Sequence, residues 1–211
     1  PFLFAGIVLP ILTYAWAKGD KERFKNIFQK SFDVMVIAAL PLVFGTQFVA
    51  NDVMSLIGGA EFYSAGAVLK ILIAASGIIF LGIIFSHAII AIDQQKKIIG
   101  AYIFTGLTAL AGYLIFIPRY SYFGAAWVTI YSEFAIVAFS MVLIWKYTKF
   151  FPNFKIFLKS LIASTIMAAV IYLLPKQNLF VTLSAATAIY AATLYVIGGF
   201  PSFLIREKDY A

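Results

Sequence analysis

The sequence predicts an all-α integral membrane protein, a polytopic bundle of six full transmembrane helices and one partial N-terminal span. Three observations predict it. The 211 residues are 63% hydrophobic and 12% charged, with a mean hydropathy of +0.97, which is more apolar surface than one soluble core of this length can bury. The apolar residues come in blocks near or above the ~20 residues that a helix needs to cross a hydrocarbon layer. Open strands are excluded there, because their unpaired backbone groups would face lipid.

The first block, Pro1 to Ala17, is apolar but short. It starts with Pro and lacks the basic n-region of a signal peptide, so it reads as the cut end of a longer helix. A charged stretch, Lys18 to Lys30, follows. Within it Phe24, Ile27 and Phe28 stand at i, i+3 and i+4, which fits either a short interfacial helix or a solvated connector whose aromatics touch the bilayer. Five blocks come next, at roughly Phe32–Ile57, Ser64–Ile92, Ile98–Ile117, Phe123–Trp145 and Phe157–Leu174, and a last one at roughly Leu179–Leu204. Small residues interrupt the large apolar ones in each, as in helices that pack closely on one another in lipid.

Charge sets the orientation. The net charge is +7, but it needs no nucleic acid, because the basic residues alternate by loop. Thirteen of the sixteen Lys and Arg fall in the first, third and fifth loops and the C-terminal tail, ending with Arg206 and Lys208. The alternate loops hold only Arg119 and Lys176, and Lys70 lies within a span. Basic short loops stay cytoplasmic, so the C-terminus is expected in the cytoplasm and Gly58, Tyr120 and Lys176 on the outer face.

Several chemistries have no support in the sequence. There are no cysteines and one histidine, which leaves no thiolate or multi-histidine metal site and no cysteine nucleophile. Phosphate-binding glycine loops, dinucleotide fingerprints, H-E-x-x-H and G-x-S-x-G are all absent from the sequence. No cofactor or metal is implied, and the expectation is a transporter and not an enzyme.

Polar residues at membrane depth are then the candidates, since their burial is costly. Glu133 lies near the middle of its span, on one face with Thr129 and Ser140. It reads either as a coupling or relay carboxyl or as a structural Glu that locks two helices. Lys70 lies about two turns inside the outer end of its helix. It either snorkels to the surface or, with Ser76 deeper on the same helix, lines a cavity for an anionic headgroup. His87, near the inner end of that helix, reads as an interfacial hydrogen-bonder. Pro41, with Gly45 and Gln47 just after it, is a candidate helix hinge. Its ring removes one backbone hydrogen bond and kinks the helix, and Gln47 or water must compensate.

Two stretches carry a family resemblance. Leu56 to Tyr63, with Ala65, Leu69, Ile71 and Leu72, and then Ala91 to Lys97, resemble the "LLFGxxYxxAxxxLxIL … LxAxGxxK" pattern of polysaccharide biosynthesis proteins. These are the O-antigen and capsule flippases of the multidrug/oligosaccharidyl-lipid/polysaccharide exporter superfamily. Leu114 to Tyr120, followed by Phe123 to Thr129, resembles that family's "xLIPxYGxxGAAxAT" hinge. Asp93 stands where the pattern usually has Gly, and Ser121-Tyr122-Phe123 lengthens the turn.

The resemblance implies a transporter of about twice this length. Residues 1–147 would be part of its second lobe, 148–211 two additional C-terminal helices, and the N-terminal half would come from the same polypeptide. It implies alternating-access flipping of a polyprenyl-pyrophosphate-linked oligosaccharide across the bacterial inner membrane. Lys70 and Ser76 would touch substrate, Glu133 would couple or relay, and Pro41 and Gly45 would form the hinge. A drug/cation antiporter or peptidoglycan-precursor flippase of the same superfamily, and a membrane-embedded glycosyltransferase or acyltransferase, are the alternatives.

The topology is testable because the chain contains no cysteine. A membrane-impermeant maleimide added to intact cells is expected to label the single-cysteine variants E61C and Y120C, and to label K96C and K155C only after the cells are opened. The reverse pattern overturns the orientation.

Overall fold

The computed structural model describes residues 1–174 and 178–200. Its elements are α1 (Phe2–Ala17), α2 (Lys21–Gly58), a 3₁₀ turn (Ala60–Ala65), α3 (Gly66–Ala91), α4 (Gln95–Thr148), α5 (Lys155–Leu173) and α6 (Leu179–Val196). Among the described residues five helices are long and apolar enough to cross a membrane, and the protein is a multi-pass membrane protein. Lys176, Arg206, Lys208 and the end of the last expected span lie outside the described residues.

Local signals set the boundaries. Gly19 takes a positive φ of 73° between α1 and α2, and the Asp20 carboxylate caps α2 by accepting from the Arg23 amide at 2.9 Å. The Asn178 side chain caps α6 in the same way, through Phe180 N. At the end of α3, Asp93 has φ 56°, while the Asp93 and Gln94 amides reach back to Ile90 and Ile89. The left-handed conformation is what a helix stop of this kind requires, and Asp tolerates it better than most residues. That accounts for an Asp where the resembled pattern carries Gly.

As one straight rod the 54 residues of α4 would run about 80 Å, far more than a bilayer core of ~30 Å. Ser121 breaks it, with φ 53° and ψ −136°, and the two arms lie side by side. Tyr113 Oη and Thr129 Oγ1 are 3.2 Å apart, Tyr131 Oη donates to Thr108 Oγ1 at 2.9 Å, and Lys97 Nζ sits 5.1 Å from the Tyr147 ring centre. The spans expected at 98–117 and 123–145 are these two arms. Gly124 makes their close approach possible, because a Cβ there would collide with the Phe116 carbonyl.

The described residues form two compact units, each described by itself: Pro1–Met35 with Ile71–Pro152, and Val36–Lys70 with the described residues from Asn153 to Phe200. In the first unit Phe24 and Phe28 are buried. Phe24 meets Trp16 at 5.3 Å, and Phe28 meets Phe85 and Phe150 at 5.2 and 5.9 Å. Their stripe is therefore neither interfacial nor solvated. It is the packed first part of α2, held by edge-to-face aromatic contacts.

The second unit packs α5 against α6 around Ala163, Met167, Ala186, Tyr190 and Leu194, with Ile37 and Phe44 of α2 against them. Gly45 faces Met167, whose Cε would lie 3.7 Å from an added Cβ. Pro41 stays within the continuous helix α2. Having no N–H, it leaves the Ile37 carbonyl without its ordinary helical donor. The Tyr190 hydroxyl supplies one at 2.9 Å. Since that uses its single proton, the contact of 2.6 Å between Ser160 Oγ and Tyr190 Oη has the serine donating. Gln47 is engaged elsewhere, on the Val43 and Lys70 carbonyls.

Y190F should therefore leave a carbonyl unpaired away from water and lower stability by about 1–3 kcal/mol. In a P41A background the restored backbone N–H can donate to the Ile37 carbonyl, so the same substitution should lose much less. Thermal unfolding of the wild type, the two single variants and the double variant in detergent measures the difference, and equal losses in both backgrounds would contradict the pairing.

Candidate functional site

The first unit contains a cavity of about 670 Å³ between α3 and both arms of α4, with Phe2 of α1 at its wall. Its lining is mostly apolar. Gly106 and Ala109 line it with little bulk, and Gly106 has no atom within 4 Å of where a Cβ would lie, while Gly82 lets α3 approach Val137 closely. Seven polar side chains face it: Ser86 and His87 from α3, Tyr102, Thr105 and Tyr113 from the first arm of α4, and Ser132 and Glu133 from the second.

Some of these groups are committed to structure. Tyr113 is 3.2 Å from Thr129, whose hydroxyl donates to the Ala125 carbonyl, and Ser132 donates to the Thr129 carbonyl. His87 Nδ1 lies 2.9 Å from the Ile83 carbonyl. A carbonyl only accepts, so Nδ1 carries the proton and Nε2, on the opposite edge of the ring, keeps a lone pair. Others are uncommitted. Thr105 is 3% exposed and its hydroxyl has no hydrogen-bond partner among the described residues. The half-buried Glu133 carboxylate makes no hydrogen bond or ion pair among them either, in contrast to Glu22, which pairs with Lys25 at 2.8 Å.

The remaining sequence candidates lie elsewhere. Lys70 belongs to the second unit, where its carbonyl accepts from Gln47 and its half-buried ammonium has no carboxylate partner among the described residues. The Ser76 hydroxyl turns back onto the Leu72 carbonyl at 3.2 Å, and neither residue lines the cavity that contains Glu133. Pro41 and Gly45 lie on α2 as already described. Among the described residues no group of His, Cys, Asp and Glu could hold a metal ion. Sequence reasoning did not join His87 and Thr105 to Glu133. Spacing along one helix cannot show which neighbouring helix a residue meets.

The fold has a solved counterpart. It is similar to a structure described as lipid II flippase MurJ, inward closed conformation, with a TM-score of 0.76 over 97% of this chain. Sequence identity is 19%, and the match takes in 46% of that protein, so this chain spans less than half its length. The likeness is one of fold. No protein-family model and no curated protein sequence matches the chain.

A carboxylate that bonds to no other helix contributes little to the fold. E133Q should unfold at the wild-type temperature or slightly above it, whereas S160A, which breaks the chain to Tyr190, should unfold below it. A marked loss of thermal stability in E133Q would make Glu133 a structural lock.

Proposed function

We propose that this chain is part of a membrane flippase that carries a polyprenyl-pyrophosphate-linked oligosaccharide across the bacterial inner membrane by alternating access. The observation that carries the reading is the fold shared with a lipid II flippase over nearly the whole chain. The motif resemblance from Leu56 to Lys97 and from Leu114 to Thr129 supports it. On this reading residues 1–147 belong to the second lobe, 148–211 add two helices, and a first lobe is contributed by the same polypeptide. The C-terminus is cytoplasmic, and transport is driven without ATP.

The roles follow from chemistry. A pyrophosphate needs cations to leave water, and Lys70 supplies a half-buried ammonium without a carboxylate partner among the described residues, with Ser76 farther along the same helix. Glu133 is the coupling or relay group. Pro41 removes one backbone hydrogen bond from the otherwise continuous α2, and with Gly45 it is the proposed point of flexure. Two cargoes fit. The motif resemblance favours a polysaccharide repeat unit, and the fold likeness to a lipid II flippase favours the peptidoglycan precursor. Both present the same polyprenyl pyrophosphate to the protein.

The test is transbilayer movement of fluorescent polyprenyl-pyrophosphate glycans in proteoliposomes containing the transporter, with a repeat-unit glycan and lipid II as separate arms. The faster arm identifies the cargo. K70A and E133Q should each slow movement at least about tenfold, the loss expected when a charged contact worth ~1.4 kcal/mol or more is removed. Wild-type movement in both variants at normal expression would remove these site assignments, and no movement of either lipid by the wild type would remove the flippase reading.

A further inference from the structure

Contacts between the helices fix the depth at which each cavity group sits. The antiparallel arms of α4 pair Phe104 with Phe139, their rings 6.2 Å apart, and Tyr113 with Thr129, which puts Thr105 level with about residue 137. Gly82 of α3 touches Val137, since a Cβ on Gly82 would lie 2.5 Å from its Cγ2. Thr105, Gly82 and Val137 therefore share one level. At a rise of ~1.5 Å per residue, Glu133, four residues before Val137, lies about 6 Å to one side of that level, and His87, five residues after Gly82, about 7 Å to the other. All three line the same cavity.

We propose that His87, Thr105 and Glu133 form a proton relay, with His87 as the entry group nearest the Lys96–Lys97 loop, Thr105 as the midway station and Glu133 as the terminus at membrane depth. The relay rests on the reading of Glu133 as a coupling or relay group and names its path. His87 Nε2 accepts a proton from water, because Nδ1 is occupied by the Ile83 carbonyl. The Thr105 hydroxyl both donates and accepts, and of the three buried hydroxyls without a partner among the described residues it is the one that lines this cavity. The offsets along the helix axes, about 6–7 Å each, fall inside the one cavity that all three residues line, and water in that cavity is what links them. When the proton reaches the Glu133 carboxylate, that group goes from charge −1 to neutral and His87 returns to its starting form. Among the described residues the other titratable groups that line the cavity are Tyr102 and Tyr113, and no Lys or Arg lines it. An ionised Glu133 thus has no fixed cation there to compete with the arriving proton.

The test follows protonation of Glu133 without any cargo. The full chain in liposomes is shifted from alkaline to acidic pH, and the carboxyl stretch that disappears in E133Q is followed by time-resolved infrared spectroscopy. H87A is expected to delay the band about a hundredfold, the scale of a lost acid–base group, without changing its final amplitude. Exogenous imidazole should restore the rate. T105V should slow it and T105S retain it. Wild-type rates in both H87A and T105V would overturn the relay, as would a slowed H87A that imidazole does not rescue. Because this readout needs no lipid-linked substrate, failed cargo movement with an intact relay would count against the flippase reading alone.

Discussion

The structure depends on one constraint, that a polar group away from water needs a partner. Its clearest expression is the Ile37 carbonyl, which Pro41 deprives of a donor and Tyr190 supplies with one at 2.9 Å. The solution ties three helices together. Tyr190 on α6 also receives a bond from Ser160 on α5, so the α5–α6 pair seals the interruption in α2, and Met167 covers Gly45 one turn farther on. A proline that a soluble helix would leave to water becomes the docking point for a helix pair.

In the first unit most polar groups on the arms of α4 meet the same constraint with a partner, while Ser140 is packed without one among the described residues. Hydrogen bonds join Tyr131 to Thr108 and pair Tyr113 with Thr129, holding the arms of α4 together. Glu133 and Thr105 have no such partners among the described residues and line a cavity instead. A carboxyl at that depth without a cation beside it among the described residues costs stability, and under the proposed function a change of protonation state is what it supplies in return.

Much of this was legible in the sequence, because hydropathy and charge act locally. Block lengths gave the helices, and the pair of blocks separated by Pro118–Tyr122 gave the two arms of α4. Asp93 stood out as a departure from the Gly of the resembled pattern, and the structure gives it the left-handed conformation. Partners far apart in sequence were not legible. Pro41 announced a carbonyl in need of a donor, yet nothing nearby in sequence named Tyr190, 153 residues beyond Ile37. Phe24 and Phe28 stood among charges and read as either an interfacial stripe or a solvated connector, because Phe85 and Phe150, the aromatic partners of Phe28, are far off in sequence. His87 and Thr105 joined Glu133 only when α3 and α4 were packed.

The central claim is that Glu133 faces a water-reachable cavity while other polar groups on the spans are sealed by packing. The direct measurement is the reaction of single-cysteine variants with a small aqueous thiol reagent in membranes. E133C should react, whereas S140C and S164C, at positions with no exposed surface, should not. An inert E133C, or equal reactivity at all three positions, would contradict the account.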